Sequence, residues 1–405
     1  MSSTTKVRTA SPVRTVRGGG FWPIAYAFAV MMAFSAAPTP LYVLYQRRDG
    51  FGSFTVTVVF AAYAVGVAVS VFTAGHVSDW LGRRRVMRWA LLIAMASGGL
   101  FLLPGLAGLL AGRFLSGLGV GLLTATATAY LMELHLAQRP DASRRRADVV
   151  ATAANIGGIG LGPLVAGLLA EYAPRPLVVP YLVFEVLLAL AVAGTFAARE
   201  TVQRRDVRWR PQRVSVPAAD RGRYAAACLT AFAAFAIFGL FTSLAPGFLV
   251  GVLDQRSHAV AGLVAFSVFA AGVAGNLMLA GFALRVQLRI AVPVLIVGLA
   301  VLIAGIWAPS FAVFLAGGLL TGAGAGAAFK ASVTTAAILA EPAARGEALA
   351  GLFLVGYLGL ALPVLGLGLA AQHLDTRTSV LVFATSLVVL LAAAARPLFR
   401  PARTP

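Results

Sequence analysis

The chain is a succession of long apolar runs separated by short polar stretches. Most runs carry no Asp, Glu, Lys or Arg over a length that crosses about 30 Å of hydrocarbon, at about 1.5 Å of rise per helical residue. This pattern predicts an all-α integral membrane protein, because only helices and closed barrels satisfy their backbone inside a bilayer. Twelve membrane-spanning helices are expected, at about 22–46, 54–77, 86–103, 107–134, 148–171, 177–197, 225–248, 259–283, 290–308, 311–339, 347–371 and 377–396.

One long polar stretch divides the twelve spans six and six, and the two sets resemble each other. Gly281–Arg289 aligns with Gly75–Arg83 at an offset of 206 residues, and the glycines of 322–326 align with those of 117–121 at an offset of 205. Repeated halves are typical of transporters that bind their cargo near the middle of the membrane. The predicted parts are a tail (1–21), a first half (22–197), a basic linker (198–224), a second half (225–396) and a second tail (397–405).

The charge of the chain follows its predicted topology. The chain is 60% hydrophobic and 12% charged, where soluble domains carry roughly twice that charged fraction. With the N-terminus inside, 26 of the 33 Lys and Arg residues fall in cytoplasmic segments and 5 in outer loops. This bias predicts a multi-pass protein of the cell membrane with both termini cytoplasmic. The net charge of +19 is then explained by orientation and by contact with anionic lipid, so we expect no nucleic-acid partner.

The sequence gives little support for a metal site, a cofactor or enzymatic chemistry. The chain has one cysteine, Cys228, and four scattered histidines without ligand spacing, so we expect no disulfide, no metal and no cofactor. No ATP-binding G-x-x-x-x-G-K-[ST] motif occurs. A membrane-embedded enzyme needs converging His, Asp or Glu side chains, which are sparse here. We therefore expect a transporter rather than an enzyme, with a membrane receptor as a remaining alternative.

A polar loop joins the second and third spans. Gly75 and Gly82 permit unusual backbone geometry there, and Asp79 is placed to accept bonds from open N–H groups at a helix start. The pattern G-x-x-x-D-x-x-G-R-R-R resembles the signature loop of the major facilitator superfamily. The resemblance implies that Asp79 and Arg83 latch the cytoplasmic side shut, with Asp79 capping the eleventh span near Glu347.

The fourth span opens with an arginine and three alternating glycines, Arg113, Gly117, Gly119 and Gly121. Glycine costs a helix about 1 kcal/mol relative to alanine, and close helix contact is the usual compensation in membranes. The stretch resembles the superfamily's fourth-helix motif, R-x-x-x-G-x-G-x-G. In relatives the matching arginine faces the central cavity and takes part in proton coupling.

The fifth span contains Gly158, Gly162, Pro163 and Gly167. It resembles the motif G-x-x-x-G-P-x-x-G-G of superfamily exporters that work by antiport, with Ala166 at the penultimate glycine. Small residues at every fourth position are also ordinary membrane packing. The resemblance implies a twelve-helix drug/proton antiporter.

Ionisable residues inside spans are functional candidates, because burying them in hydrocarbon is costly. Besides Arg113 these are Lys330 and Glu185. Lys330 lies either at the cavity or snorkels to the surface. Glu185 lies at a depth similar to that of Arg113 and is either paired with it or locally satisfied or protonated. Glu133 ends the fourth span and is a second candidate proton carrier. Many drug/proton antiporters of the superfamily carry an acidic residue in helix one, and this chain has none there.

The expected function is secondary active transport, as proton-coupled efflux of small hydrophobic drugs or metabolites by a monomer in the lipid bilayer. The alternative is uptake by proton symport of a small metabolite, anionic if Lys330 faces the cavity. No residue identifies the substrate.

Overall fold

A computed structural model describes residues 20–75, 77–202, 220–341 and 344–399, with side chains described up to residue 394. Most of each predicted tail and most of the predicted linker lie outside the described residues.

The described part of the chain is helical, and its elements follow the predicted spans. The first half comprises α1 (Phe21–Ala36), a 3₁₀ turn (Thr39–Leu41), α2 (Tyr42–Asp49), α3 (Ser53–Ala74), α4 (Ser78–Leu81), α5 (Arg83–Phe101), α6 (Leu106–Gln138), α7 (Arg145–Thr152), a π-helical turn (Ala153–Gly157), α8 (Gly158–Tyr172), α9 (Val179–Gly194) and a 3₁₀ turn (Thr195–Ala197). The second half comprises α10 (Arg221–Ser243), α11 (Ala245–Gly251), α12 (His258–Leu279), α13 (Leu284–Trp307), α14 (Phe311–Leu339), α15 (Arg345–Ala370) and α16 (Thr376–Phe399).

The described residues form helical segments at each of the twelve predicted spans. Eleven segments are long and apolar enough to cross a membrane by themselves. The twelfth, α5, has 19 residues and begins with arginines at 83, 84, 85 and 88, so its composition alone does not mark it. The predicted fold, two pseudo-symmetric six-helix halves, is confirmed.

Glycine contacts show the pseudo-symmetry in detail. In α6, Gly117 and Gly121 lie against α3, and Gly119 lies against α5. In α14, Gly322 and Gly326 lie against α12, and Gly324 lies against α13. Each alternating-glycine helix therefore packs between the second and third helices of its own half, with no room for a Cβ on either side.

The first crossing of each half lies at the centre of the molecule. In the most apolar window of each crossing, 89% of residues are buried for the α1–α2 crossing and 78% for α10, against 33% for α9. The sixth crossing therefore belongs to the rim of the bundle, and the first and seventh line its middle.

Both central crossings are interrupted. Pro38 and Pro40 follow the end of α1. Two prolines so close together in an apolar run predict such an interruption, because proline has no N–H to continue a helix. A second interruption, between α10 and α11, occurs at Pro246. The carbonyl of Thr242, four residues earlier, loses its helical partner to this proline and accepts a hydrogen bond from Thr39 Oγ1 at 3.0 Å. The two interruptions thus meet across the halves, and a buried carbonyl is satisfied as a membrane protein requires.

The two ends of the bundle differ in how the halves meet. We call the end near residues 20, 202 and 220 the linker end, and the opposite one the far end. At the far end, α8 packs on α12, where Gly262 lies against the Pro163 carbonyl and Gly167 against His258. There the His258 backbone N–H also donates to Glu171 Oε2 at 2.7 Å. Beside these, α3 packs on α15 where Thr57 meets Gly368, so backbone-close contacts seal the far end.

Candidate functional site

A central cavity lies between the halves, on the linker side of the far-end seal. Its volume is about 90 Å³. The lining residues come from both halves: Met32, Ser35, Ala36, Phe60, Tyr63, Arg113, Val120, Thr124, Asn155, Ile156, Ile159, Phe235, Phe238, Thr242, Phe269, Phe329, Phe353, Tyr357 and Leu360.

Exposure changes along this cavity. Ser35, Arg113 and Thr242, next to the seal, are buried. Asn155 and Phe353, nearer the linker end, are half-buried. The cavity is therefore closed at the far end and accessible from the linker end in this state.

The two halves contribute different chemistry to the cavity. The first half supplies most of the polar groups, namely Ser35, Arg113, Thr124 and Asn155, besides the rings of Phe60 and Tyr63. The second half supplies a nearly continuous aromatic surface from Phe235, Phe238, Phe269, Phe329, Phe353 and Tyr357. Phe235 contacts Phe329 and Tyr357 edge-to-face at centroid distances of 5.0 and 5.2 Å, a favoured aromatic geometry.

Arg113 is the charged residue among the cavity-lining side chains, all of which the structure describes. It is 2% exposed, and its Nη1 donates to the Ser35 carbonyl at 2.6 Å. That carbonyl lies four residues before Thr39, where α1 has ended, so Arg113 satisfies a group freed by the helix interruption. The sequence placed Arg113 at this depth but gave no sign of this partner.

Two aromatic rings also contact the guanidinium of Arg113. Its Cζ lies 4.5 Å from the Tyr63 ring centroid and 5.5 Å from that of Phe60, within the range of cation–π contacts. Arg113 Nε is buried and has no hydrogen-bond partner. Among the described carboxylates none lies within 4.0 Å of it, so a positive charge stands at the buried end of the cavity without a counter-charge.

Asn155 enters the cavity from a π-helical turn, residues 153–157 of the fifth crossing. A π-turn inserts an extra residue into a helix and often occurs at functional sites. The sequence offers Asn155 as a polar residue within a span. It does not show the π-turn, because that depends on α8 packing against both α1 and α12.

Glu185 lies away from the cavity and does not pair with Arg113. Its carboxylate faces α5 at Gly98, and its buried Oε1 has no hydrogen-bond partner in the described structure. Helix α5 contacts both α6 and α9 and so separates Arg113 from Glu185. Equal depth along two helices therefore did not bring the two charges together.

The signature loop forms a polar cluster at the linker end. Arg83 bonds Asp79 Oδ1 at 2.5 Å and Glu133 Oε1 at 2.9 Å. The expected cap of the eleventh span by Asp79 is not formed in this state: among the described residues, α15 begins after Ala344 without a side-chain capping bond. Asp79 is instead largely exposed, with Arg83 as its partner.

The start of α5 is capped by a residue that sequence reasoning missed. Glu200 accepts hydrogen bonds from the backbone N–H groups of Arg83 at 2.8 Å and Arg84 at 3.1 Å. Gly82, just before, has φ +103°, which favours glycine, whereas Gly75 has an ordinary helical φ of −58°. The cap therefore comes from the segment after the sixth crossing and not from Asp79. The sequence signal for this cap is Glu200 itself, a single glutamate within a basic segment.

The remaining candidates fall outside the cavity lining. Lys330 follows the cavity residue Phe329 but is exposed and does not line the cavity. In the fifth crossing, Gly158 and Gly162 lie against α1 at Ala29 and Ala33. The exporter-type motif thus packs on the first crossing with one set of glycines and on the other half with Pro163 and Gly167.

Known structures share this arrangement. A POT family transporter in complex with 5-aminolevulinic acid superimposes with a TM-score of 0.75 at 11% identity, over 94% of this chain and 98% of its own. A mutant of the nucleoside transporter NupG gives a TM-score of 0.71 at 14% identity, over 94% and 100%. A bacterial homologue of the human lysosomal transporter Spinster, inward-facing and unoccupied, gives 0.70 at 14% identity, over 98% and 100%. No curated protein matches the chain in sequence.

Two repeated six-helix halves around a central cavity, sealed at one end, define a membrane transporter. The family model of the Major Facilitator Superfamily matches residues 23–254, more than half of the chain. The chain belongs to the major facilitator superfamily.

Proposed function

We propose that the protein exports small hydrophobic compounds in exchange for protons. The observation that supports this most directly is a largely aromatic cavity closed at the far end and accessible from the linker end. The distribution of arginine and lysine favours a cytoplasmic linker end. The state described is then the one that accepts cargo from the cytoplasm, and rocking of the halves delivers it outside.

Export also agrees with the place of the fifth-crossing motif. Gly162 packs on α1, and Pro163 and Gly167 pack on α12, so the motif belongs to the seal that separates the cavity from the far side. A tight seal at rest holds exported compounds outside. The alternative of anion uptake loses the support it drew from Lys330, which does not line the cavity in this state.

Proton coupling needs a group that takes and releases a proton as its surroundings change. Glu185 is the better candidate, because its buried Oε1 has no partner, whereas Glu133 is already bonded to Arg83 and Thr201. We therefore assign the carrier to Glu185. Its separation from Arg113 makes any influence of the arginine indirect, through α5.

Vesicles containing the purified protein test this function. A pH gradient of either sign is imposed, and movement of a hydrophobic dye is followed together with internal pH. The unmodified protein is expected to move dye against proton flow. Glu185→Gln should abolish gradient-driven movement and spare dye binding, while Glu133→Gln should do less. Gradient-driven transport that survives in the double variant would rule out both carboxylates, and movement of dye with protons would indicate symport.

A further inference from the structure

The cavity has a mostly polar wall from the first half and a mostly aromatic wall from the second half. This division limits what the cavity can bind. The polar wall carries one full positive charge, Arg113, and the lining residues include no Asp or Glu to balance it. A buried charge without a partner favours a ligand that supplies the missing acceptor. The described lining residues thus give the site a positive charge without a carboxylate to balance it. This charge affects the choice of ligand as much as the rings do.

Aromatic rings alone do not decide the charge of a ligand, because their faces also attract organic cations. In this cavity two of the rings, Tyr63 and Phe60, are already occupied by the guanidinium of Arg113. The rings of the second half contact one another, edge-to-face around Phe235 and stacked between Phe238 and Phe269 at 4.6 Å. A cationic ligand would lie in the field of Arg113 without a counter-charge, whereas an anion or a carbonyl acceptor would be stabilised by it.

Resting on the export function proposed above, we infer that the substrates are small aromatic compounds of one or two rings that are anionic or neutral with an acceptor group, and not cations. The ring lies against Phe235, Phe329 and Tyr357 of the second half. The acceptor points to the first half, toward Arg113 and Asn155.

Binding of matched probes tests the inference without any need for transport. Naphthoate, naphthamide and naphthylmethylammonium share a ring system and differ in charge, and octanoate is an anion without a ring. Titration calorimetry of the full chain in detergent is expected to rank naphthoate first, with naphthylmethylammonium at least about tenfold weaker, as expected for one charge-assisted hydrogen bond. Octanoate should also bind more weakly than naphthoate. Equal or tighter binding of the ammonium probe would overturn the inference.

Asn155→Asp provides a gain-of-binding variant. It adds a carboxylate of nearly the same size to the polar wall, so naphthylmethylammonium should gain about tenfold and naphthoate should lose a similar factor. Gln372→Glu adds the same charge on the exposed loop before α16 and should change neither affinity. Unchanged probe preference in Asn155→Asp would show that the probes bind elsewhere, and would reject the site.

The two proposals fail separately. Anion-selective binding without proton-driven movement would remove the exporter function and leave the site assignment intact. Proton-driven export of cations would leave the function intact and remove the site assignment.

Discussion

At the scale of single residues, two side chains repair the interruptions of the central helices. Arg113 bonds the Ser35 carbonyl in the first half, and Thr39 bonds the Thr242 carbonyl in the second. In water such carbonyls find solvent, but in a bilayer each must find a protein partner. The Thr39 bond differs from the Arg113 bond because it joins the two halves, so it exists only while the far end is closed.

Thr39→Val should therefore shift the equilibrium between states. The change keeps the shape of the side chain and leaves the Thr242 carbonyl without a donor, at a cost of about 1–3 kcal/mol to the far-closed state. That corresponds to a shift of about 5- to 150-fold toward the far-open state. Labelling of a single introduced cysteine near the seal, in a Cys228→Ser background, measures this population.

Thr128→Val is the matched control. Thr128 is exposed and bonds Thr124 in its own helix, so its loss should leave the population unchanged. Equal labelling of the Thr39 variant and the unmodified protein would mean that this bond does not hold the halves together.

At the scale of elements, the sequence predicts where the helices lie but not which helices pack against each other. The apolar runs gave twelve crossings, and Pro38 and Pro40 gave the break in the first. The break at Pro246 was missed, because a proline near the end of an apolar run reads equally well as a helix end. Glu185 was set at the depth of Arg113, but depth along a helix says nothing about which helix stands between.

The glycines of the fifth crossing yield a prediction about sealing. Gly162 lies so close to the Ala33 carbonyl of α1 that even a methyl group has no room. Gly162→Leu should force α8 from α1, and overpacking of this kind costs about 1–3 kcal/mol. Export should fall, or protons should leak through vesicles that contain the variant.

A glycine in open surroundings gives the comparison. A Cβ at Gly366 in α15 would meet nothing within 4 Å, so Gly366→Leu should seal and transport like the unmodified protein. Normal export without leak in Gly162→Leu would reduce the motif to ordinary packing.

The signature loop yields a second prediction at this scale. Asp79 is exposed and bonded to Arg83 in the far-closed state, so we propose that its predicted contact with α15 forms in the other state. Asp79→Asn keeps the size and removes the charge. It should slow transport in vesicles, while membrane insertion and the far-closed state remain normal.

An exposed ion pair elsewhere controls for loss of charge. Asp254 pairs with Arg256 at the far end with both side chains largely exposed, and such pairs contribute little. Asp254→Asn should transport normally. Unchanged transport in Asp79→Asn would show that the loop does not latch the linker end.

At the scale of the whole molecule, accessibility defines the state. Asn155 is half-buried on the linker side of the cavity, whereas Ser35 is buried beside the seal. In a Cys228→Ser background, Asn155→Cys should react with a membrane-impermeant thiol reagent applied from the linker side, and Ser35→Cys should react far more slowly. Reaction of both from the far side would contradict the closed seal. Sequence patterning sets the number of crossings, but not which end is closed, because that depends on contacts between halves.

The separation of the two walls has a consequence for how substrate range evolves. Most of the aromatic wall comes from one copy of the repeat. The interrupted first helix, and the α6 arginine that bonds it, come from the other. Substitutions among the rings of the second copy reshape the space for a ligand without disturbing the guanidinium that supports α1. A lineage exposed to new compounds can therefore diversify one copy while purifying selection conserves the other. Around the cavity, residues of the second half should change faster in evolution than residues of the first half.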